Sequence, residues 1–115
     1  MKSYTDIEQS KKLAEILPFE SADMGFYYSS NPQDARNQMW VGTKAENADI
    51  PCWSLNALLN VLPQSVRLVG TPKDSYWYCE CVNVNNQWYA GFKSADNSID
   101  ACVEMIVKLK KEKLL

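Results

Sequence analysis

The stretch SYWYCECVNVNNQWYAGFKSADNSIDACVEMIVKLKKEK, residues 75–113, decides the fold. Two runs rich in aromatic and β-branched residues, 75–84 and 87–94, flank Asn85-Asn86. Asparagine tolerates the positive φ of a two-residue type I′ turn, so the pattern predicts a β-hairpin. That turn sets Val84 opposite Gln87. Counting back sets Cys81 opposite Ala90 and Cys79 opposite Phe92. Trp77, Cys79, Cys81, Trp88, Ala90 and Phe92 then share one face, and Tyr76, Tyr78, Glu80, Val82, Tyr89 and Lys93 the other. The first set lacks charge and is expected to face the core. A longer turn shifts the pairs but not the alternation within each strand.

The hairpin runs into a capped helix. Asn97-Ser98 is an N-cap signal, and Asp100 falls in the first turn, where negative charge is favoured. Ile99, Cys102, Val103, Ile106 and Leu109, with Val107 beside them, form a broad apolar stripe suited to lying across a sheet. Lys108, Lys110, Lys111 and Lys113 read as a solvated C-terminal end with favourable dipole placement.

Upstream, Thr5-Asp6-Ile7-Glu8 matches a capping box, and a helix is expected over 5–17, stopped by Pro18. Residues 24–29 (MGFYYS) suggest a strand, and residues 39–41 a second, short one. Residues 44–49 read as a polar, mobile loop. PCWSL, residues 51–55, opens a short helix over 54–62, with Ser54 as N-cap and Leu55, Leu58, Leu59 and Leu62 at helical spacing. Residues 66–71 alternate well enough for a strand.

The fold expected is therefore α+β: a small antiparallel sheet of three to five strands in a single domain spanning 1–115. The 75–94 hairpin is central, and the 5–17 and 98–113 helices cover one face. The 54–62 helix packs at the edge or in the same layer.

Composition narrows function by exclusion. The chain has 115 residues, 46% hydrophobic and 23% charged, as in a globular protein. Twelve Lys and Arg against fourteen Asp and Glu leave a net charge of −2, which disfavours duplex DNA. No apolar run marks a signal peptide or a membrane span, so no membrane association and a reducing cytoplasm are expected. The four cysteines are then expected as buried free thiols. Their spacing fits no paired C-x₂-C knuckle, so no metal site is assigned.

With no histidine, Cys–His catalysis within one chain is excluded. The carboxylates that could be drawn as couples, Asp96 with Asp100 and Asp23 with Glu20, fit turns and helix N-termini. The four glycines form no phosphate-binding loop. No catalytic residue and no cofactor are assigned.

Aromatic residues are the remaining resource: four Trp, six Tyr and three Phe. Trp77, Trp88 and Phe92 are expected in the core. Tyr76, Tyr78 and Tyr89 share a face with Glu80 and Lys93 and are candidate contact residues. Trp40, beside the 42–50 loop, and Trp53, at a helix start, are rim or lid candidates.

Four segments together resemble a known group. They are TDIEQSKKLAEILPFESADM (5–24), DIPCWSLNALLNVLP (49–63), WYCECVNVNNQWYAGF (77–92) and NSIDACVEMIVKLKKEKLL (97–115). They are similar to small uncharacterised proteins of phages, prophages and mobile elements in Bacteroides-type gut bacteria. The resemblance implies a context, a mobile-element accessory protein in a bacterial cytoplasm, and carries no activity and no catalytic residues.

The function expected is a non-enzymatic interaction module that binds a protein partner through the Tyr-bearing hairpin face or the 42–53 loop. Single-stranded nucleic acid stacked on those tyrosines, with Lys73 and Lys93 near its backbone, is the first alternative. A small enzyme using carboxylates or a supplied metal is the second. An uncovered hairpin edge pairing with its twin would give a homodimer.

Overall fold

The computed structural model describes residues 2–28, 39–63, 66–71, 76–84, 87–95 and 97–113. Within these, the side chains of residues 28, 39–40, 71, 76, 81–84 and 87–95 are not described. The chain is α+β, as the sequence predicts, with helices α1 (Ile7–Ala14), α2 (Leu55–Val61) and α3 (Ser98–Lys111). The strands are β1 (Met24–Tyr28), β2 (Met39–Gly42), β3 (Ile50–Cys52), β4 (Val66–Thr71), β5 (Tyr76–Val84) and β6 (Gln87–Ala95). A single 3-10 turn at Phe19–Ser21 links α1 to β1.

The strands form two antiparallel sheets rather than the single sheet expected. One has the order β2-β1-β3 and the other β4-β5-β6. The helices divide accordingly. Helix α3 lies across β4, β5 and β6, with α2 packed on α3, whereas α1 packs against β3 and touches α3. Helix α1 therefore covers the first sheet, not the hairpin.

The reason lies at Thr5. Its N–H donates to the Trp53 carbonyl at 3.0 Å, and its Oγ1 accepts the Trp53 N–H at 3.1 Å. Tyr4 bridges Ser54 just outside β3. Residues 4–5 thus run beside the end of β3, and α1 covers 7–14 rather than the expected 5–17, its cap one residue later than expected. Asp6 is the N-cap: its Oδ1 accepts the Gln9 N–H at 2.8 Å, and Gln9 Oε1 accepts the Asp6 N–H at 3.1 Å. The capping box is real but shifted from Thr5/Glu8 to Asp6/Gln9. The other end tightens, with Ile16 N–H bonded to Leu13 O at 2.9 Å, before Pro18.

Residues 50–52 form a strand where the sequence suggested the approach to a helix. Pro51 sits at its middle, which an edge strand tolerates because the missing N–H need not face a neighbour. Ser54 caps α2 as expected, its Oγ accepting the Ala57 N–H at 3.3 Å. Leu58 and Leu62 are buried, but Leu59 is 40% exposed.

The hairpin pairs Val84 with Gln87 and Asn83 with Trp88, as expected from a two-residue connection. Its register then shifts. Cys81 pairs with Gly91, Glu80 with Phe92 and Cys79 with Lys93, so Tyr89 and Ala90 together oppose Val82. This β-bulge overturns the expected Cys81–Ala90 and Cys79–Phe92 pairs. The expected face of Trp88, Tyr89, Ala90 and Phe92 falls on side chains outside the described set.

Two clusters make the core. The larger joins Leu13, Leu17, Trp53, Leu58 and Leu62 to Cys79 and the buried face of α3, with Val66, Leu68 and Trp77 packed against it. Ala101 and Met105 of α3 are buried along with the predicted stripe, because the sheet lies on one side of the helix and α2 on another. The smaller cluster is Phe26, Ile50 and Cys52, between α1 and the first sheet. Here the rings of Tyr4 and Phe26 meet edge-on at 6.3 Å.

Candidate functional site

The alternation along β4 and β5 divides the hairpin sheet into a face covered by α3 and an opposite face on which no described helix packs. On β5, Cys79 is fully buried and Trp77 packs on the main core. Their register partners on β4, Leu68 and Gly70, lie on the same side. The Trp77 indole leans over Gly70, where an added Cβ would come within 2.7 Å of the ring. Helix α3 seals this side.

The opposite side carries Tyr78 and Glu80 from β5 and their partners Val69 and Arg67 from β4. The Arg67 Nε donates to Glu80 Oε1 in an ion pair, with the arginine side chain 74% exposed. Tyr78 and Val69 are half-buried beside that pair. No described helix packs on this side. The result is an aromatic side chain on the central strand and an aliphatic one on the edge strand, bordered by paired opposite charges.

The five sequence-derived contact residues fare differently. Tyr78 lies on the side of β5 opposite Cys79 and Trp77, the side that the alternation predicts. Tyr76 pairs with Thr71, Trp40 with Tyr27, and Tyr89 lies at the bulge, but their side chains are outside the described set. Trp53 is not a surface residue: it is fully buried, and its Nε1–H donates to Ser21 Oγ at 2.9 Å. It is a core residue, not the contact residue expected. It belongs to the core because Thr5 holds its backbone and Ser21 satisfies its indole N–H.

The 42–53 loop is likewise held down. The Tyr27 hydroxyl lies 2.7 Å from the Lys44 carbonyl oxygen and 2.8 Å from that of Glu46. Asp49 N–H donates to Phe26 O at 3.0 Å. Asn47 makes the turn at φ 58°, a conformation asparagine tolerates. This segment, expected to be mobile, is tethered to β1.

The polar clusters elsewhere are spent on structure. Asp100 accepts from Lys2 Nζ at 2.8 Å, Gln9 Nε2 at 2.7 Å and Asn97 Nδ2 at 2.8 Å. Burial opposes its ionisation, but these bonds outweigh burial and hold its carboxyl below the usual value. Lys2 also bonds Asp6 at 3.1 Å. Burial alone would lower its pKa, but its bonds to Asp100 and Asp6 raise it. The clasp ties the N-terminus to the starts of α1 and α3.

A second cluster is buried. Thr5 Oγ1 and Ser10 Oγ lie 2.7 Å apart, and Cys52 Sγ donates to the Thr5 carbonyl at 3.4 Å. Burial pushes the Cys52 thiol up, against the lowering effect of Thr5 and Ser10. Asp23 meets Ser54, with Oδ1 accepting the Ser54 N–H at 2.9 Å and Oδ2 its hydroxyl. Cys79 and Cys102 touch across the sheet–helix interface, and this contact together with burial pushes the Cys102 thiol upward. Among the described residues, no group of three or more Cys, Asp or Glu is arranged to hold a metal.

The clasp was not legible in the sequence. Asp100 reads as a dipole partner of its own helix, and nothing local signals a lysine 98 positions away. No described helix is long and apolar enough to cross a membrane. Comparisons with protein-family models, curated proteins and solved structures found no significant match to the chain.

Proposed function

We propose that the chain is a non-enzymatic protein-interaction module, a mobile-element accessory protein of the kind its sequence resembles, acting in a bacterial cytoplasm. Its contact surface is the face of the β4-β5-β6 sheet opposite α3, centred on Tyr78 with Val69 and the Arg67–Glu80 pair at its border. The observation that carries this reading is the partition of the sheet: α3 packs on one side, while Tyr78 sits on the other. Tyrosine suits such a role because it supplies a large contact area with few rotatable bonds. The occupied state of the described polar clusters supports a binding role over catalysis.

A tagged capture from bacterial lysate, with a nuclease-treated control, tests this. A stoichiometric protein that survives nuclease supports the module reading. An eluate lost to nuclease moves the weight to single-stranded nucleic acid stacked on Tyr78. The net charge of −2 and Glu80 on the face weigh against that alternative.

A further inference from the structure

Among the described residues the two sheets end in four edges, three of them blunted. Strand β2 has four described residues and ends at Gly42. Strand β3 has three, with Pro51 lacking an N–H at its middle. The hairpin bulge interrupts β6. Short strands, proline and bulges are the devices that keep a sheet edge from pairing with another chain. Strand β4 has none of them: it runs six residues, Val66–Thr71, in unbroken register with β5. Its single charge, Arg67, is turned toward β5 by the ion pair with Glu80 and does not guard the outer side. Among the described residues, no strand pairs with that side.

We infer that the outer edge of β4 pairs antiparallel with β4 of a second copy of this chain. The strand is compatible with itself. In an antiparallel ladder, every second residue turns its N–H and C=O toward a given neighbour, so a strand paired with its own copy is centred on a residue. Centring on Leu68 sets Arg67 opposite Val69 of the second copy. Centring on Val69 sets Arg67 opposite Thr71 of the second copy. Neither register brings the two arginines face to face, so like-charge repulsion across the pair is avoided. Such pairing closes on itself through a twofold axis and does not propagate. It joins the two three-stranded sheets into one, with both α3 helices on one side and both Tyr78 residues on the other. The contact-face reading does not depend on this dimer.

Sedimentation or light scattering over a concentration series, with amide hydrogen exchange, tests the inference. The wild-type chain is expected to be a dimer whose β4 amides lose protection on dilution. Val69→Lys sets like charges opposite each other in either register. It is expected to be a folded monomer by circular dichroism, with fast-exchanging β4 amides. A wild-type chain that stays monomeric up to millimolar concentration overturns the inference, as does a Val69→Lys chain that dimerises like wild type. If the variant does not fold, the wild-type exchange decides alone. Concentration-independent protection of β4 overturns the pairing, and so does a monomer that takes an extended peptide at this edge.

Discussion

Thr5 and Trp53 are joined twice, by the Thr5 N–H to the Trp53 carbonyl at 3.0 Å and by the Trp53 N–H to Thr5 Oγ1 at 3.1 Å. Both residues are fully buried. This link sets where α1 begins, fixes the end of β3 and places the indole in the main core. Replacing Thr5 by Val keeps the shape but leaves the Trp53 N–H and the Ser10 hydroxyl without their partner. A buried group orphaned in this way costs roughly 1–3 kcal/mol. Urea unfolding should show a midpoint lowered accordingly for Thr5→Val, and largely restored for Thr5→Ser, which keeps the hydroxyl.

The Asp100 clasp should set the acid limb of stability. Its carboxyl titrates below the usual value in the folded chain, so as pH falls the unfolded chain takes up the proton first. The stabilisation is therefore complete above the ordinary aspartate value of about 4 and lost as pH falls through the folded value. Lys2 acts at the other end. Its folded pKa is raised above 10.5, so its contribution is lost as pH rises through that folded value. Asp100→Asn should flatten the loss of stability on acidification and shrink the alkaline loss. Thermal unfolding across the pH range reads both, and an unchanged acid limb would remove Asp100 from the account.

Two glycines should resist alanine for different reasons. At Gly70 the added Cβ meets the Trp77 ring at 2.7–3.0 Å, so the indole must shift. At Gly25 it runs into Ala48 Cβ and comes within 3.0 Å of the Lys44 carbonyl oxygen, so the tethered loop must move. Overpacking costs about 1–3 kcal/mol in general. Gly25→Ala is expected to cost more than Gly70→Ala, since backbone yields less readily than a side chain. Gly70→Ala should also change tryptophan fluorescence. Denaturant midpoints for the two variants check the order.

The buried thiols should be inert in the native state. Cys52, Cys79 and Cys102 are free and fully buried. Burial raises the Cys52 thiol, and the contact with Cys79 together with burial raises Cys102. The same contact lowers Cys79, so at that position it is burial that bars a reagent. Titration with a thiol reagent should leave these three unreacted until denaturant is added. Rapid modification of Cys79 or Cys102 in the folded chain would contradict the packing of α3 on β5.

The α+β class was legible because the hairpin and the final helix carry strong local patterns. Trp77 and Cys79 alternate with Tyr78 and Glu80, and that alternation alone assigned β5 its two faces correctly. Ser54 and Asn97 likewise announced their helix starts. What failed depended on distant partners. Thr5 looks like an N-cap until Trp53 claims its hydroxyl, and the cap passes to Asp6. Pro51 and Trp53 look like a helix entry until β1 pairs with Ile50–Cys52 and draws the indole inward. The bulge opposite Val82 has no signature in the hairpin sequence, so a register counted from the turn holds only to Asn83–Trp88. For the site, the face of Tyr78 was legible from period-two alternation, but the burial of Trp53 was not.

The most direct test of the proposed contact face compares capture of the nuclease-resistant protein partner by wild type, Tyr78→Ala and Phe19→Ala. Phe19 is an exposed aromatic, 44% accessible, outside the β4-β5-β6 sheet, and serves as the control. All three chains are first shown to be folded by circular dichroism. Tyr78→Ala is expected to lose the partner and Phe19→Ala to keep it. Undiminished capture by folded Tyr78→Ala would contradict the assignment of this face.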